Sequence, residues 1–340
     1  MDSAQDRDAK TAASDEREAL MEKIMGFWQI RVILTGAELD LFTLLDGSPS
    51  TAGRLAAAVR CDGRALERLL DALAALGFLQ KEGEVFSLSD RGALLASGRP
   101  GSVLPMLLHL NELWSKWSAL TEVVRTGRPV GRTVGETGEA NRKAFIGAMH
   151  AIGLRLSMEI AASFDASGFR RLLDIGGGSG VYTIAFLKRN PGMTAVLFDL
   201  PPVVDMAGQR IAAEGLAERV TLVAGDFYRD ELPSGCDLAL LSAIIHQNDA
   251  AANLMLYQKI FRALAPGGSL LIRDFVMDAS RARPVGGALF AVNMLVGTSG
   301  GNTYTVEEIR GGLERAGFAG VERVRESDGM DSLIRARKPG

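Results

Sequence analysis

Two rhythms of apolar and polar positions divide the 340-residue chain. Up to about Gly127 apolar residues recur mostly at helical spacing. In MEKIMGFWQIRVILTGAELDLFTLL they are denser than one buried face requires, which predicts a helix covered on more than one side. In ALERLLDALAALGFL the residues Leu66, Leu69, Leu70, Leu73 and Leu76 form a helical stripe. Gly77 is placed to end that helix, and Ser50 or Thr51 to cap the alanine-rich helix ahead of it. Phe78-Leu79 and Val85-Phe86-Ser87-Leu88 alternate about Glu82-Gly83, which predicts a short hairpin. Helix, helix, hairpin is a winged-helix layout. Leu110–Thr126 and Asn141–Phe164 read as further helices, on either side of a glycine-rich surface loop over Gly127–Ala140.

From Arg170 the rhythm becomes strand, glycine turn, helix, strand. RLLDIG, TAVLFDL, RVTLVAGDF, DLALLSAII and SLLIRDFVM are nearly continuous apolar runs, as parallel strands covered on both faces require. Helical stretches such as VYTIAFLKRN separate them, and alternation of this kind builds a doubly wound sheet. GVERVRESDG and DSLIRARKP predict a closing pair with an antiparallel member. The fold class expected is α/β, a Rossmann-like domain of mostly parallel sheet with an antiparallel strand at its C-terminal edge, behind a helical winged-helix domain. The domains expected are a disordered tail over 1–16, the winged-helix domain over 17–127, a loop and linker helix over 128–165, and the sheet domain over 166–340.

Composition narrows the partners. Formal net charge is -3, with 47% hydrophobic and 23% charged residues. A winged helix invites a DNA-reading interpretation, yet Arg54, Arg60, Arg64, Arg68, Lys81, Arg91 and Arg99 are nearly cancelled by Asp62, Glu67, Asp71, Glu82, Glu84 and Asp90. The second helix shows leucine and alanine where a DNA reader shows a basic face, so packing and dimerisation are expected instead of nucleic-acid binding. Cys61 and Cys236 are the only cysteines and have no metal-ligand spacing. No metal site and no disulfide framework is expected. The polar start carries no apolar signal segment, and no apolar run is long enough to span a membrane. A cytoplasmic protein without a membrane partner is expected.

The chemistry lies at the strand ends. Leu172-Leu173-Asp174-Ile175-Gly176-Gly177-Gly178-Ser179-Gly180 carries a buried strand into a glycine turn ahead of a helix, where bare backbone can approach a ligand. A dinucleotide fingerprint would need a third glycine where Val181 stands. The form present is D-x-G-x-G-x-G. Asp199 ends the second strand, placed to accept from both ribose hydroxyls of a nucleoside. Asp226 ends the third, placed to accept from an adenine amino group while Leu200 or Phe227 packs on the ring. His246 stands at the carboxyl end of the fourth strand and Asp274 at that of the fifth. Imidazole is the side chain suited to take a proton near neutral pH, and a carboxylate beside it fixes its tautomer.

These residues resemble the first motif and strand-end acids of class I methyltransferases. Along almost its whole length, including GFWQIRVILTGAELDLF, the chain is similar to small-molecule O-methyltransferases of the caffeate and acetylserotonin type and their bacterial relatives. The resemblance implies S-adenosylmethionine as methyl donor, an intertwined homodimer, and cofactor contacts from Gly176, Asp199, Asp226 and Phe227. Asp174, Gly178, Leu200 and Ser242 complete the cofactor-binding set expected here. The resemblance further implies His246 as general base, oriented by Asp274. The chain departs from that pattern at Ser242, where plant members carry lysine, and at Gln247, Asn293 and near Thr303, where acids are common. Phe145, Met149, Phe290, Asn293, Met294 and Tyr304 are the expected wall for a small-molecule acceptor. The leading expectation is methylation of a hydroxyl. The lost acids keep a thiol or thioether acceptor, such as a methylthio-hydroxy acid, as an alternative, together with nitrogen or carbon. A winged-helix regulator sensing the cofactor and a catalytically dead homologue are the remaining alternatives.

Overall fold

The computed structural model describes residues 2–99, 101–130 and 139–340, apart from the side chains of 2–14, 139–145, 148, 151 and 152. The chain divides into two compact units, Met1–Asn111 and Glu112–Gly340.

The first unit holds α1 (Asp2–Glu38), α2 (Leu41–Leu44), β1 (Ser50–Thr51), α3 (Ala52–Val59), α4 (Gly63–Ala75), β2 (Leu79–Glu82), β3 (Val85–Leu88) and α5 (Asp90–Ala93). The expected hairpin pairs Leu79 with Leu88 and Glu82 with Val85, and β1 adds a third antiparallel strand. Thr51 and Asp62 cap α3 and α4 by accepting from the N–H groups of Arg54 and Ala65. Gly77 takes φ 78° just past α4, a left-handed turn that glycine adopts without steric penalty. The stripe Leu66, Leu70 and Leu73 packs on Leu41, Phe42, Leu55 and Phe86.

Two features of α1 differ from the sequence reading. Its backbone continues helical through residues 2–16, where a disordered tail was expected; the segment is rich in good helix formers and lacks glycine and proline. Among its described side chains, buried ones fall in the C-terminal part, with Leu34 and Ala37. Leu20, Met21, Ile24, Phe27, Trp28 and Ile30 are each about half exposed or more. The extra apolar residues are thus not covered by this chain.

α6 (Leu104–Ser118) carries the division between the units. The second unit continues through α7 (Leu120–Thr126) and α8 (Glu139–Ser163). The division falls earlier than residue 127, because α7 packs against a helix of the second unit, α12 (Val285–Gly297). Residues 131–138 of the expected surface loop lie outside the described residues.

The sheet is built from β4 (Arg171–Ile175), β5 (Thr194–Asp199), β6 (Val220–Ala224), β7 (Cys236–Ser242), β8 (Leu264–Asp274), β11 (Ala319–Arg325) and β12 (Ser332–Arg337), in the order β11-β12-β8-β7-β4-β5-β6. The β4–β5, β5–β6, β4–β7 and β7–β8 pairs are parallel, and β12 runs antiparallel to both β8 and β11. A separate parallel pair joins β9 (Val276–Met277) to β10 (Tyr304–Thr305). Side chains alternate between the faces. Leu173, Ile175, Val196 and Phe198 meet Tyr257 and Ile260 of α11 (Ala250–Ala263) and Leu313 of α13 (Val306–Arg315). Leu172, Ala195 and Leu197 meet Ile160 of α8, Phe186 of α9 (Val181–Arg189) and Ile211 of α10 (Pro201–Ala213). Each of the valine, leucine, isoleucine and phenylalanine side chains among them contributes about 1.5–3 kcal/mol on burial, so the two clusters fix the sheet. The parallel strands then present their carboxyl ends along one edge, the ligand-binding edge of open α/β sheets.

Candidate active site

The glycine turn after β4 is held by its own backbone. Gly176, Gly178 and Gly180 have φ of 66°, 56° and 78°, a region other residues enter only under strain. The Gly176 N–H donates to the Phe198 carbonyl at 2.8 Å. A Cβ on Gly176 would lie 2.8 Å from Ile244 Cδ1 and 3.4 Å from Phe227 Cε1. The turn, the Phe227 loop and the end of β7 therefore converge on one spot, and only glycine leaves it open.

Asp199 closes the turn from the neighbouring strand. Its Oδ2 accepts from the Gly178 N–H at 2.8 Å and its Oδ1 from the Leu200 N–H at 2.7 Å. These two bonds fix the carboxylate beside the turn. Leu200 is 37% exposed and Phe227 half-buried, an apolar pair suited to a flat heterocycle. Asp226 accepts from the Tyr228 N–H at 2.9 Å and leaves its second oxygen beside exposed Arg229. Asp174 is 1% exposed and accepts from the Thr183 hydroxyl at 2.6 Å. Burial, aided by the nearby Asp199 charge, pushes its carboxyl up to about 6. A buried strand-end acid, a glycine turn, a carboxylate on the neighbouring strand end and a partly exposed apolar pair are groups that suit an adenosyl cofactor. Asp199→Ala is expected to weaken binding of S-adenosylhomocysteine by about 10- to 100-fold, the loss typical of charge-assisted bonds. Calorimetric titration checks this, and an unchanged affinity removes Asp199 from the cofactor site.

Ser242 is engaged differently from a cofactor-facing lysine. Its hydroxyl accepts from Arg273 Nε at 2.7 Å, across the register pair Ser242 and Arg273 of β7 and β8. The Arg273 guanidinium lies over the Tyr182 ring and also donates to the Met330 carbonyl. A cation thus reaches this corner from the next strand.

His246 and Asp274 meet as the sequence order suggests. His246 sits in a short 3-10 turn, Ile245–Gln247, four residues beyond β7. Its Nδ1 is 3.0 and 2.9 Å from the two Asp274 oxygens. Asp274 is 1% exposed and accepts also from the Phe275 N–H at 2.8 Å. Arg273 turns to Ser242, so Asp274 is a histidine partner and not an arginine counter-ion. With Nδ1 engaged, Nε2 is the imidazole nitrogen left for chemistry. Phe290 of α12 stands edge-on to the ring, centroids 4.9 Å apart. Among the described residues no three His, Cys, Asp or Glu side chains converge as metal ligands.

The turn is anchored by polar groups that the sequence reading missed. Buried Asn248 donates to Asn253 Oδ1 at 3.0 Å, and Asn253 donates to the Ile245 carbonyl at 2.9 Å. Tyr228, beside the Phe227 loop, donates to Asn248 Oδ1. The Asn302 N–H donates to the His246 carbonyl at 2.8 Å. A Cβ on Gly301 would come within 2.6 Å of that same oxygen. The sequence signal was the asparagine pair itself, Asn248 and Asn253, five residues apart at the strand-to-helix corner.

The expected acceptor wall separates into parts. Phe290 faces His246, as described. Asn293 accepts from Trp117 Nε1 at 2.9 Å, and Met294 is 7% exposed. Tyr304 is 8% exposed and belongs to the core, its hydroxyl donating to the Asn248 carbonyl. It supports the His246 turn from below and is not an open wall residue, because β10 pairs with β9 and carries the side chain inward. Met149 is half-buried on α8, and the Phe145 side chain lies outside the described residues. Thr303, near an expected glutamate position, is buried with its hydroxyl on the Gly287 carbonyl. His150 has Nδ1 3.1 Å from the Ser179 hydroxyl. Burial and then Arg210 hold its imidazole below the ordinary range. It lines a separate cleft with Leu154, Val181, Ile184, Arg210 and Glu214.

Fold and site together define an S-adenosylmethionine-dependent methyltransferase of Rossmann-like fold. Residues 117–319 match the O-methyltransferase domain and residues 21–98 the O-methyltransferase dimerisation domain; the chain belongs to the O-methyltransferase family. It is 34% identical to 3-hydroxy-5-methyl-1-naphthoate 3-O-methyltransferase of Streptomyces sahachiroi, over 93% of each chain. Human N-acetylserotonin methyltransferase in complex with S-adenosylmethionine superposes with a TM-score of 0.83 at 27% identity, over 96% of this chain and 98% of that one. The N,N-8-amino-8-demethyl-D-riboflavin dimethyltransferase of Streptomyces davawensis superposes with a TM-score of 0.81 at 31% identity, over 95% and 99%. Among the described residues no helix is long and apolar enough to cross a membrane.

Proposed function

We propose that the enzyme methylates a hydroxyl on an aromatic small molecule, with His246 as general base. The observation that carries this reading is the His246–Asp274 pair, with both carboxylate oxygens on Nδ1. That geometry keeps the proton on Nδ1 and the lone pair on Nε2, and stabilises the imidazolium that follows proton uptake. Bound S-adenosylmethionine supplies an activated methyl on a sulfonium sulfur. His246 Nε2 takes the hydroxyl proton as the oxygen gains the methyl, then releases it to solvent. Phe290, edge-on to the imidazole, offers an apolar surface for a flat acceptor. Relatives named for hydroxylated aromatic acceptors, the naphthoate enzyme among them, support the same class.

Nitrogen is the second reading, favoured by the likeness to the riboflavin-type dimethyltransferase. The test incubates purified protein with methyl-labelled S-adenosylmethionine and a panel of phenols, hydroxynaphthalenes, arylamines, thiols and thioethers. Mass spectrometry then locates the label. Label on aryl oxygen is the expected result; label confined to nitrogen or sulfur overturns it.

The same proposal includes a homodimer formed through α1. Leu20, Met21, Ile24, Phe27 and Trp28 leave a contiguous apolar stretch exposed, of the kind that marks an interaction surface. The dimerisation domain covers residues 21–98, which include most of it.

A further inference from the structure

We propose that Trp117 is a positioning residue: it turns the Asn293 amide so that its N–H groups face the acceptor, and so selects hydroxyls flanked by a carbonyl. The inference rests on the aryl-hydroxyl reading above. Trp117, on α6, donates from Nε1 to Asn293 Oδ1 on α12 at 2.9 Å, across 176 positions of sequence. Indole N–H is a donor only, so it can meet only the carbonyl end of the amide. The other end is therefore NH2.

That NH2 group has no protein acceptor among the described residues, and Asn293 is half-buried. Asn293 follows Phe290 by three residues on α12, which places both on one helix face. Phe290 is the side chain against His246. The two residues are thus offset by about 4.5 Å along the helix axis. A methylated oxygen at His246 leaves its neighbouring substituent beside Asn293. Two donors there favour a substituent that accepts, such as a ketone or quinone oxygen, and leave a purely alkyl neighbour with an unsatisfied amide. An aspartate at the same position would keep the bond from Trp117 and have no hydrogen to give.

The test measures binding of two matched probes, 2-acetyl-1-naphthol and 2-ethyl-1-naphthol, to the full chain saturated with S-adenosylhomocysteine. Calorimetry on the wild type should favour the acetyl compound by about tenfold, the upper range for one neutral hydrogen bond. Trp117→Phe should reduce that preference to about threefold or less, since the fixed donor is lost, while affinities for the ethyl compound and for S-adenosylhomocysteine stay unchanged. Asn293→Asp should abolish or reverse it. A preference that survives in Trp117→Phe, or a parallel loss of affinity for both probes, overturns the inference and leaves Trp117 with packing alone. If both probes bind the wild type equally, this inference fails and the aryl reading stands. If neither binds, the aryl reading itself fails.

Discussion

His246→Gln is expected to lower kcat by about 10²- to 10⁴-fold, the usual contribution of a positioned general base. Glutamine keeps a polar side chain against Asp274 and Phe290 but cannot take a proton. The proposed cofactor residues lie on the neighbouring strand ends, so affinity for S-adenosylhomocysteine should change by no more than about twofold, below the worth of one hydrogen bond. The loss should depend on the acceptor. A weakly acidic naphthol needs its proton removed, whereas a nitrophenol already ionised at the assay pH does not. Comparing kcat for the two acceptors in both proteins checks the role. A uniform loss across acceptors assigns His246 to positioning, and full retained turnover places the base elsewhere. A thioether acceptor, which has no proton to lose, would show the mildest effect of all.

Asp174→Asn is expected to stabilise the cofactor-free protein at neutral pH. Asp174 is buried, and its carboxyl ionises near 6 in the fold against an ordinary 3.8. Between those values the folded chain holds a proton that the unfolded chain has released. Stability therefore falls as pH rises through that window and stays lowered above it. A displacement of about two units corresponds to on the order of 3 kcal/mol. Asparagine removes the ionisation and can still accept from Thr183. Urea unfolding should show the variant more stable at pH 8, with the difference fading by pH 4. No gain at pH 8 would contradict the buried-carboxylate account. The same variant should bind S-adenosylmethionine more weakly, because a buried negative charge beside the glycine turn favours a cationic ligand.

Local patterns carried the sheet. Apolar runs bounded by glycine marked every strand of the parallel core, and Asp174, Asp199 and Asp226 stand at or just beyond the ends of three of those strands. His246 and Asp274, 28 residues apart, met because adjacent parallel strands bring their carboxyl ends together. What remained hidden depends on register and distant packing. Nothing in the stretch around Ser242 shows that Arg273 will occupy its hydroxyl; that follows from the pairing of β7 with β8. Tyr304 reads as a pocket residue until the β9–β10 pair turns it inward. Trp117 and Asn293 belong to helices that no local signal joins. The apolar density of α1 was legible, but density alone cannot say whether the covering surface belongs to the same chain.

α12 is a short helix between Pro284 and Thr298, and it bears Phe290 and Asn293 without contributing a strand to the sheet. The His246–Asp274 pair is carried by the sheet instead, Asp274 at the end of β8 and His246 in the turn beyond β7. In the proposed roles, acceptor choice and proton transfer lie on separate pieces of chain. For an engineer, α12 is a place to vary acceptor choice: a library at Asn293 is expected to explore new acceptors, with Phe290 kept because it packs against His246. Met294, nearly sealed from solvent, is another position such a library should leave alone.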